Sequence, residues 1–149
     1  MIRKKYLKGD KMILIVCVDE RNGMTFNNRR QSRDKILTGR IIEKTKDKKL
    51  WITTFSKDIF NIEEDGNIMI DDKFYSIAEK EDYCFIENID ANIISDKVDK
   101  IILYNWNRHY PADKYFNISL DNWLIISEEN FTGSSHDNIT ERIYVRGKR

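Results

Sequence analysis

Seven consecutive apolar residues, Met12-Ile13-Leu14-Ile15-Val16-Cys17-Val18, stop abruptly at Asp19-Glu20-Arg21-Asn22-Gly23. A strand with one wet face alternates apolar and polar side chains, so an unbroken run of this kind needs cover on both faces. The Asn-Gly pair that follows is a turn signal. The run therefore predicts a central buried strand with layers on both sides of its sheet.

The other segments fit that frame. Ser32 ahead of Arg33-Asp34-Lys35, with Ile36, Leu37, Ile41 and Ile42 at helical spacing, predicts an amphipathic helix to about Thr45. Gly39 weakens it by about 1 kcal/mol relative to Ala. Leu50-Trp51-Ile52-Thr53-Thr54-Phe55 reads as a second buried strand, with Ser56 placed to cap a short helix over Lys57-Asp58-Ile59-Phe60. Asn67 to Ile70 is a weak strand and Tyr83 to Ile86 a stronger one. Ile93, Ile94 and Val98 suggest a short helix before a strand from Lys100 to Trp106. Strands alternating with short helices, then three successive strands, describe an α/β domain: a central mixed, mostly parallel sheet flanked by short helices. Trp51, Trp106 and Trp123 lie inside apolar strands and are expected in the core.

At 149 residues the chain suits one domain. Its 26 Lys and Arg nearly cancel its 25 Asp and Glu, so the net charge of +1 gives no expectation of nucleic-acid binding. Cys17 and Cys84 read as buried thiols in a reducing compartment, and two cysteines with two histidines make no metal pattern. No apolar run approaches the roughly 18 residues of a membrane helix, and the basic start lacks a signal-peptide core, which predicts a cytoplasmic, membrane-free protein. Lys8-Gly9-Asp10 can be encoded by a purine-rich stretch like a bacterial ribosome-binding site. Residues 1–11 are accordingly expected to be a misannotated or disordered leader, with the domain spanning 12–149.

Asp113-Lys114-Tyr115-Phe116, the Trp123-Leu124-Ile125-Ile126 run, a polar loop and a closing Arg142-Ile143-Tyr144-Val145 resemble the C-terminal third of the dihydrofolate reductase family. Met12 to Asp19 followed by Asn22-Gly23-Met24 is similar to that family's opening strand and turn. The resemblance covers the order of elements from Met12 to Arg149 and implies a single dihydrofolate-reductase-like domain. The family's most specific motifs are altered, however. Asn27-Asn28-Arg29-Arg30-Gln31 stands where Leu-Pro-Trp would be, Thr54 and its neighbours replace a Gly-Arg pair before the helix that Ser56 opens, and Glu87-Asn88 replaces paired glycines. The stretch from Phe60 to Tyr83, which in the family supplies most of the adenosine-binding lobe, is much shorter.

By that resemblance Asp34 falls at the carboxylate that supports protonation of the pterin ring, and Ile13, Ile15, Asp34 and Tyr104 would line the substrate pocket. Thr54, Ser56, Glu87 and Asn88 occupy the positions of the cofactor motifs. An acidic Glu87 there would crowd and repel a polyanionic cofactor. Read from the residues alone, Asp34 is equally a helix N-terminal acid and Ser56 a plain cap. Arg29, Arg30 and Arg33 form a cationic segment able to bind an anion, phosphate or RNA, or simply a solvated surface. Ser134-Ser135-His136 reads as a turn, since chain neighbours rarely face each other as a Ser–His pair must. The expectation is a divergent member that has lost conventional NADPH binding and reduction, needs no cofactor, and binds a small heterocycle or a partner. An NADPH-dependent reductase of dihydrofolate or a related pterin or pyrimidine is the alternative, and an RNA or protein interaction module the third reading.

Overall fold

A computed structural model describes residues 11–60 and 66–147. The expected leader therefore lies, except for Lys11, outside the described residues. The apolar run forms strand β1 (Met12–Val18), and the hairpin after it forms β2 (Gly23–Phe26) and β3 (Arg29–Arg30). Helix α1 (Lys35–Thr45) follows, then β4 (Leu50–Ile52), β5 (Ile68–Ile70), β6 (Tyr83–Ile86), β7 (Val98–Asn105), β8 (Lys114–Tyr115), β9 (Trp123–Phe131) and β10 (Ile139–Arg146). Short 3-10 turns at Thr54–Ile59, Phe74–Ser76, Ala91–Ile93 and Ser95–Lys97 replace the further helices expected from the sequence.

The main sheet has the order β5-β4-β6-β1-β7-β10-β9. Strands β5 to β7 pair in parallel, and β10 and β9 close the sheet antiparallel. β6 and β7 pair with the two edges of β1, and a core cluster covers each of its faces, as its unbroken apolar run requires. Leu14, Val16 and Val18 join Trp51, Phe74 and Ile86 on one side. Ile13 and Ile15 join Leu37, Ile41 and Phe85 on the other, beneath α1. The three tryptophans are buried as expected.

A second, three-stranded sheet of order β3-β2-β8 stands apart from the main one and carries the segment after β1. Asn27 and Asn28 both take positive φ, 51° and 59°, which is the tight hairpin conformation that asparagine tolerates. Gly23 is required for close approach: a Cβ there would lie 2.7 Å from Ala112, from the Asp19 carboxylate and from the Gln31 amide. That crowding ties β2 to the Asp19 turn and fixes where Arg30 and Gln31 enter the cleft.

Candidate functional site

Between β1, α1 and the end of β6 lies a cleft floored by Cys17, Phe85 and Trp106 and walled by Leu37, Ile41 and Ile59. Only about 20 Å³ of it is empty, room for about one water molecule. The filler is Arg30. From β3 its guanidinium donates through two nitrogens to both oxygens of Glu87, 2.8 Å each, in a fork that favours such pairs geometrically. It also donates to the Phe55 carbonyl at 3.1 Å and to Asp58 at 3.1 Å, and lies 5.2 Å from the centre of the Phe55 ring. Ser56 donates its hydroxyl to Glu87 at 2.7 Å. The Arg30 and Glu87 side chains are 16% and 10% exposed, so the pair is largely desolvated. Hydrogen bonding to Glu87 raises the Arg30 pKa further above its already high ordinary value.

Ser56 is thus not the cap that its position suggested. The 3-10 turn starts at Thr53 with no side-chain cap, and the Ser56 hydroxyl is drawn instead to the Glu87 carboxylate. At the start of the same turn Asp72 accepts from the Thr54 N–H at 2.8 Å and from its hydroxyl at 3.2 Å. The amide oxygen of Asn88 is buried without a partner among the described residues.

The opposite wall is built on Asp34. Ser32 does not cap α1; Asp34 does, in extended backbone, accepting from the N–H groups of Ile36 at 3.0 Å and Leu37 at 3.2 Å. The loop between β9 and β10 folds over it. Ser134 and Ser135 donate their N–H groups at 2.9 and 2.8 Å, and Ser135 adds its hydroxyl at 3.1 Å. Gly133 is needed there because a Cβ would collide with the Asp34 carboxylate. Burial alone would raise the Asp34 pKa, but the N–H groups of Ser135, Ser134 and Leu37, with the His136 ring, hold it well below the usual carboxylate range.

His136 completes this wall. Its Nδ1 lies 3.3 Å from Asp34 and 3.0 Å from the Ser135 hydroxyl; its Nε2 lies 2.9 Å from the Tyr110 hydroxyl and 3.3 Å from Ser32 Oγ. Trp106 stacks on the ring at 4.5 Å and 26°. Outside, an open groove of about 620 Å³ runs over Lys35, Gly39, Ile42 and Ser134 and shares Arg33, Asp34, Thr38 and Ile59 with the cavity.

The expected residues are therefore only partly brought together. Asp34, Glu87, Arg30 and Arg33 line the cavity. Ile13, Ile15 and Tyr104 do not reach it, because they are spent in the core beneath α1, where the Tyr104 hydroxyl donates to buried Glu141 at 2.7 Å. Of the three arginines, Arg30 and Arg33 are both paired with Asp58, and Arg29 stays exposed with no ionic partner among the described residues. The Arg30–Glu87 pair and the role of His136 had no local sequence signal: their partners lie 57 and 102 residues apart in the chain. Among the described residues no group of side chains is arranged to hold a metal ion, and no helix is long and apolar enough to cross a membrane.

No protein-family model matches the chain, and no curated protein matches it significantly. Among solved structures, a dihydrofolate reductase from Enterococcus faecalis, complexed with NADP(H) and RAB-propyl, is similar with a TM-score of 0.66 and 11% identity, over 93% of this chain and 98% of that one. At that identity the likeness speaks to architecture and leaves the chemistry open. The chain is a single α/β domain with the dihydrofolate-reductase fold.

Proposed function

We propose that this chain is a divergent dihydrofolate-reductase-like protein without conventional NADPH-dependent reduction, and that its cleft binds a small heterocycle when Arg30 moves aside. The observation that carries the reading is the Arg30–Glu87–Ser56 cluster, which fills with the chain's own groups the space between β1, α1 and β6. Apolar walls with a few convergent polar groups are what small-molecule sites are made of. Here Phe85, Leu37, Ile41 and Trp106 supply the walls, and Glu87, once Arg30 has moved, supplies paired acceptors. A small flat ring bearing donors on one edge suits them.

Two further features support the loss of the cofactor. The resemblance places a diphosphate at the turn that begins with Thr54, and Asp72 already occupies that N–H. The resemblance also gives Asp34 a protonating role, but its oxygens accept from four backbone N–H groups, the Ser135 hydroxyl and the His136 ring. A carboxylate so saturated has little capacity left for a pterin edge. The Arg30 and Arg33 ion pairs likewise spend the charge that RNA binding would use.

Titration calorimetry with NADPH, run beside a known dihydrofolate reductase, tests the reading. No heat at two temperatures is the expected result. Tight binding, with dihydrofolate turnover that disappears in Asp34→Asn, would overturn it in favour of the reductase. A thermal-shift screen of heterocycles against the intact chain and Arg30→Ala tests the binding half: hits should shift the variant more, because the competing guanidinium is gone.

A further inference from the structure

We propose that Ser32, His136 and Asp34 form a nucleophile, a general base and a positioning acid, an ester-cleaving relay at the mouth of the cleft. It uses no cofactor and stands apart from the question of reduction. Ser32 and Asp34 stand two residues apart, and His136, 102 residues beyond Asp34, joins them where the β9–β10 loop closes over the start of α1. Asp34 is held ionised by neutral donors and can only accept, so the His136 nitrogen facing it, Nδ1, carries the ring proton. Nε2 is then bare. It faces Ser32 Oγ at 3.3 Å and the Tyr110 hydroxyl at 2.9 Å, and Trp106 stacking fixes the ring plane. A 3.3 Å separation is ordinary for a nucleophile and base at rest, since such bonds tighten when substrate arrives.

The surroundings suit a carbonyl. Ser32 is half-buried on the wall of the cavity, which holds little more than a water molecule while Arg30 fills it, and the open groove beside it can hold the bulk of an ester. In the reaction Ser32 Oγ bonds to the ester carbon while its proton passes to His136 Nε2. The carbon–alkoxide bond then breaks, and the alkoxide leaves with that proton. Water, deprotonated by Nε2, releases the carboxylic acid and restores Ser32. Asp34 takes no proton at any step; it holds the tautomer and stabilises the imidazolium.

The test uses a fluorophosphonate probe on the full chain, read by intact mass and peptide mapping. Ser32 Oγ should displace fluoride and gain the phosphonyl group. Ser32→Ala should abolish the adduct, and His136→Gln should slow it at least about tenfold. Because His136 is buried and its replacement can disturb the fold, Tyr110→Phe provides a second arm: it frees Nε2 from a competing donor and should speed labelling. Asp34 and Tyr110 are the titratable side chains within hydrogen-bond reach of the ring among the described residues. Asp34→Asn should therefore lower the pH midpoint of labelling, a shift that mere loosening of the loop would not give. No adduct on the unaltered chain, an adduct on Ser134, Ser135 or Tyr110, or a rate that Tyr110→Phe fails to raise would overturn the assignment.

Discussion

Two carboxylates, one buried and one nearly so, face the same cavity and are satisfied in opposite ways. Asp34 is held by backbone N–H groups of α1 and of the β9–β10 loop, donors that cannot leave without unfolding a helix end or a loop. Glu87 is held by the side chains of Arg30 and Ser56, and Arg30 arrives on a hairpin belonging to a separate small sheet. A ring of fixed amides makes a permanent joint, whereas a long side chain with its own rotamers makes a joint that a ligand can replace. The Asp34 wall is architecture on which a relay can be mounted. In the function proposed above, the Glu87 wall is the one that opens.

Asp34→Ala should give the largest effect, since it leaves the α1 and loop N–H groups without their acceptor. The loss should reach about 3 kcal/mol or more in urea denaturation, where a lost cap alone costs about 1 kcal/mol. A loss near 1 kcal/mol would show that the loop donors find water and that the joint is weaker than drawn. The acid limb sharpens this further. With its pKa lowered in the folded state, Asp34 contributes stability above its unfolded value of about 4, and that contribution is lost as pH falls below about 4 toward the folded value. The unfolded chain takes up the proton first, so acid favours unfolding. Asp34→Asn should be less stable at neutral pH and show a shallower loss of stability below about pH 4.

Arg30→Ala should come next, at about 2–4 kcal/mol, because it strands Glu87 with Ser56 as its remaining described partner. The comparison predicts rescue here and none at Asp34. Arg30→Met combined with Glu87→Met removes both charges and should return within about 1 kcal/mol of the unaltered chain, as exchanged buried pairs do. A double variant as unstable as Arg30→Ala would mean that the pair organises the hairpin and does not merely fill the cleft.

The apolar pattern disclosed the frame because it is local. The run from Met12 to Val18 required the central strand, and Tyr83 to Ile86 was legible as a strand with both ends correct. α1 ended at Thr45 as its periodicity indicated, and Asp34, read as a helix N-terminal acid, is its cap, where the loop from across the chain rewards a carboxylate. The second strand stopped at Ile52, short of Phe55, where Asp72 draws the Thr54 N–H out of the sheet. The site was legible in its residue types more than in its pairings. Glu87 was singled out for repelling an anion, yet Arg30 neutralises it, so its obstruction of the cleft comes from bulk and not from charge. The resemblance led to Tyr104 by position along a strand, whereas its side of the sheet belongs to the core beneath α1, where its hydroxyl donates to Glu141, 37 residues further on.

The smallest expected effect is also the sharpest control on the comparison. Arg33 reaches the same Asp58 oxygen as Arg30, at 2.7 Å against 3.1 Å, so a list of distances would rank it the stronger contact. Yet Arg33 and Asp58 are each 58% exposed, and an exposed pair loses in hydration and side-chain freedom what it gains in attraction. Arg33→Ala should change stability by less than about 0.5 kcal/mol. Raising salt should shrink that small effect further while leaving the cost of Arg30→Ala nearly intact, since the buried pair is screened far less. If the two variants instead cost the same and fade together with salt, the Arg30–Glu87 joint is wet, and the cleft stands open in solution without any ligand to open it.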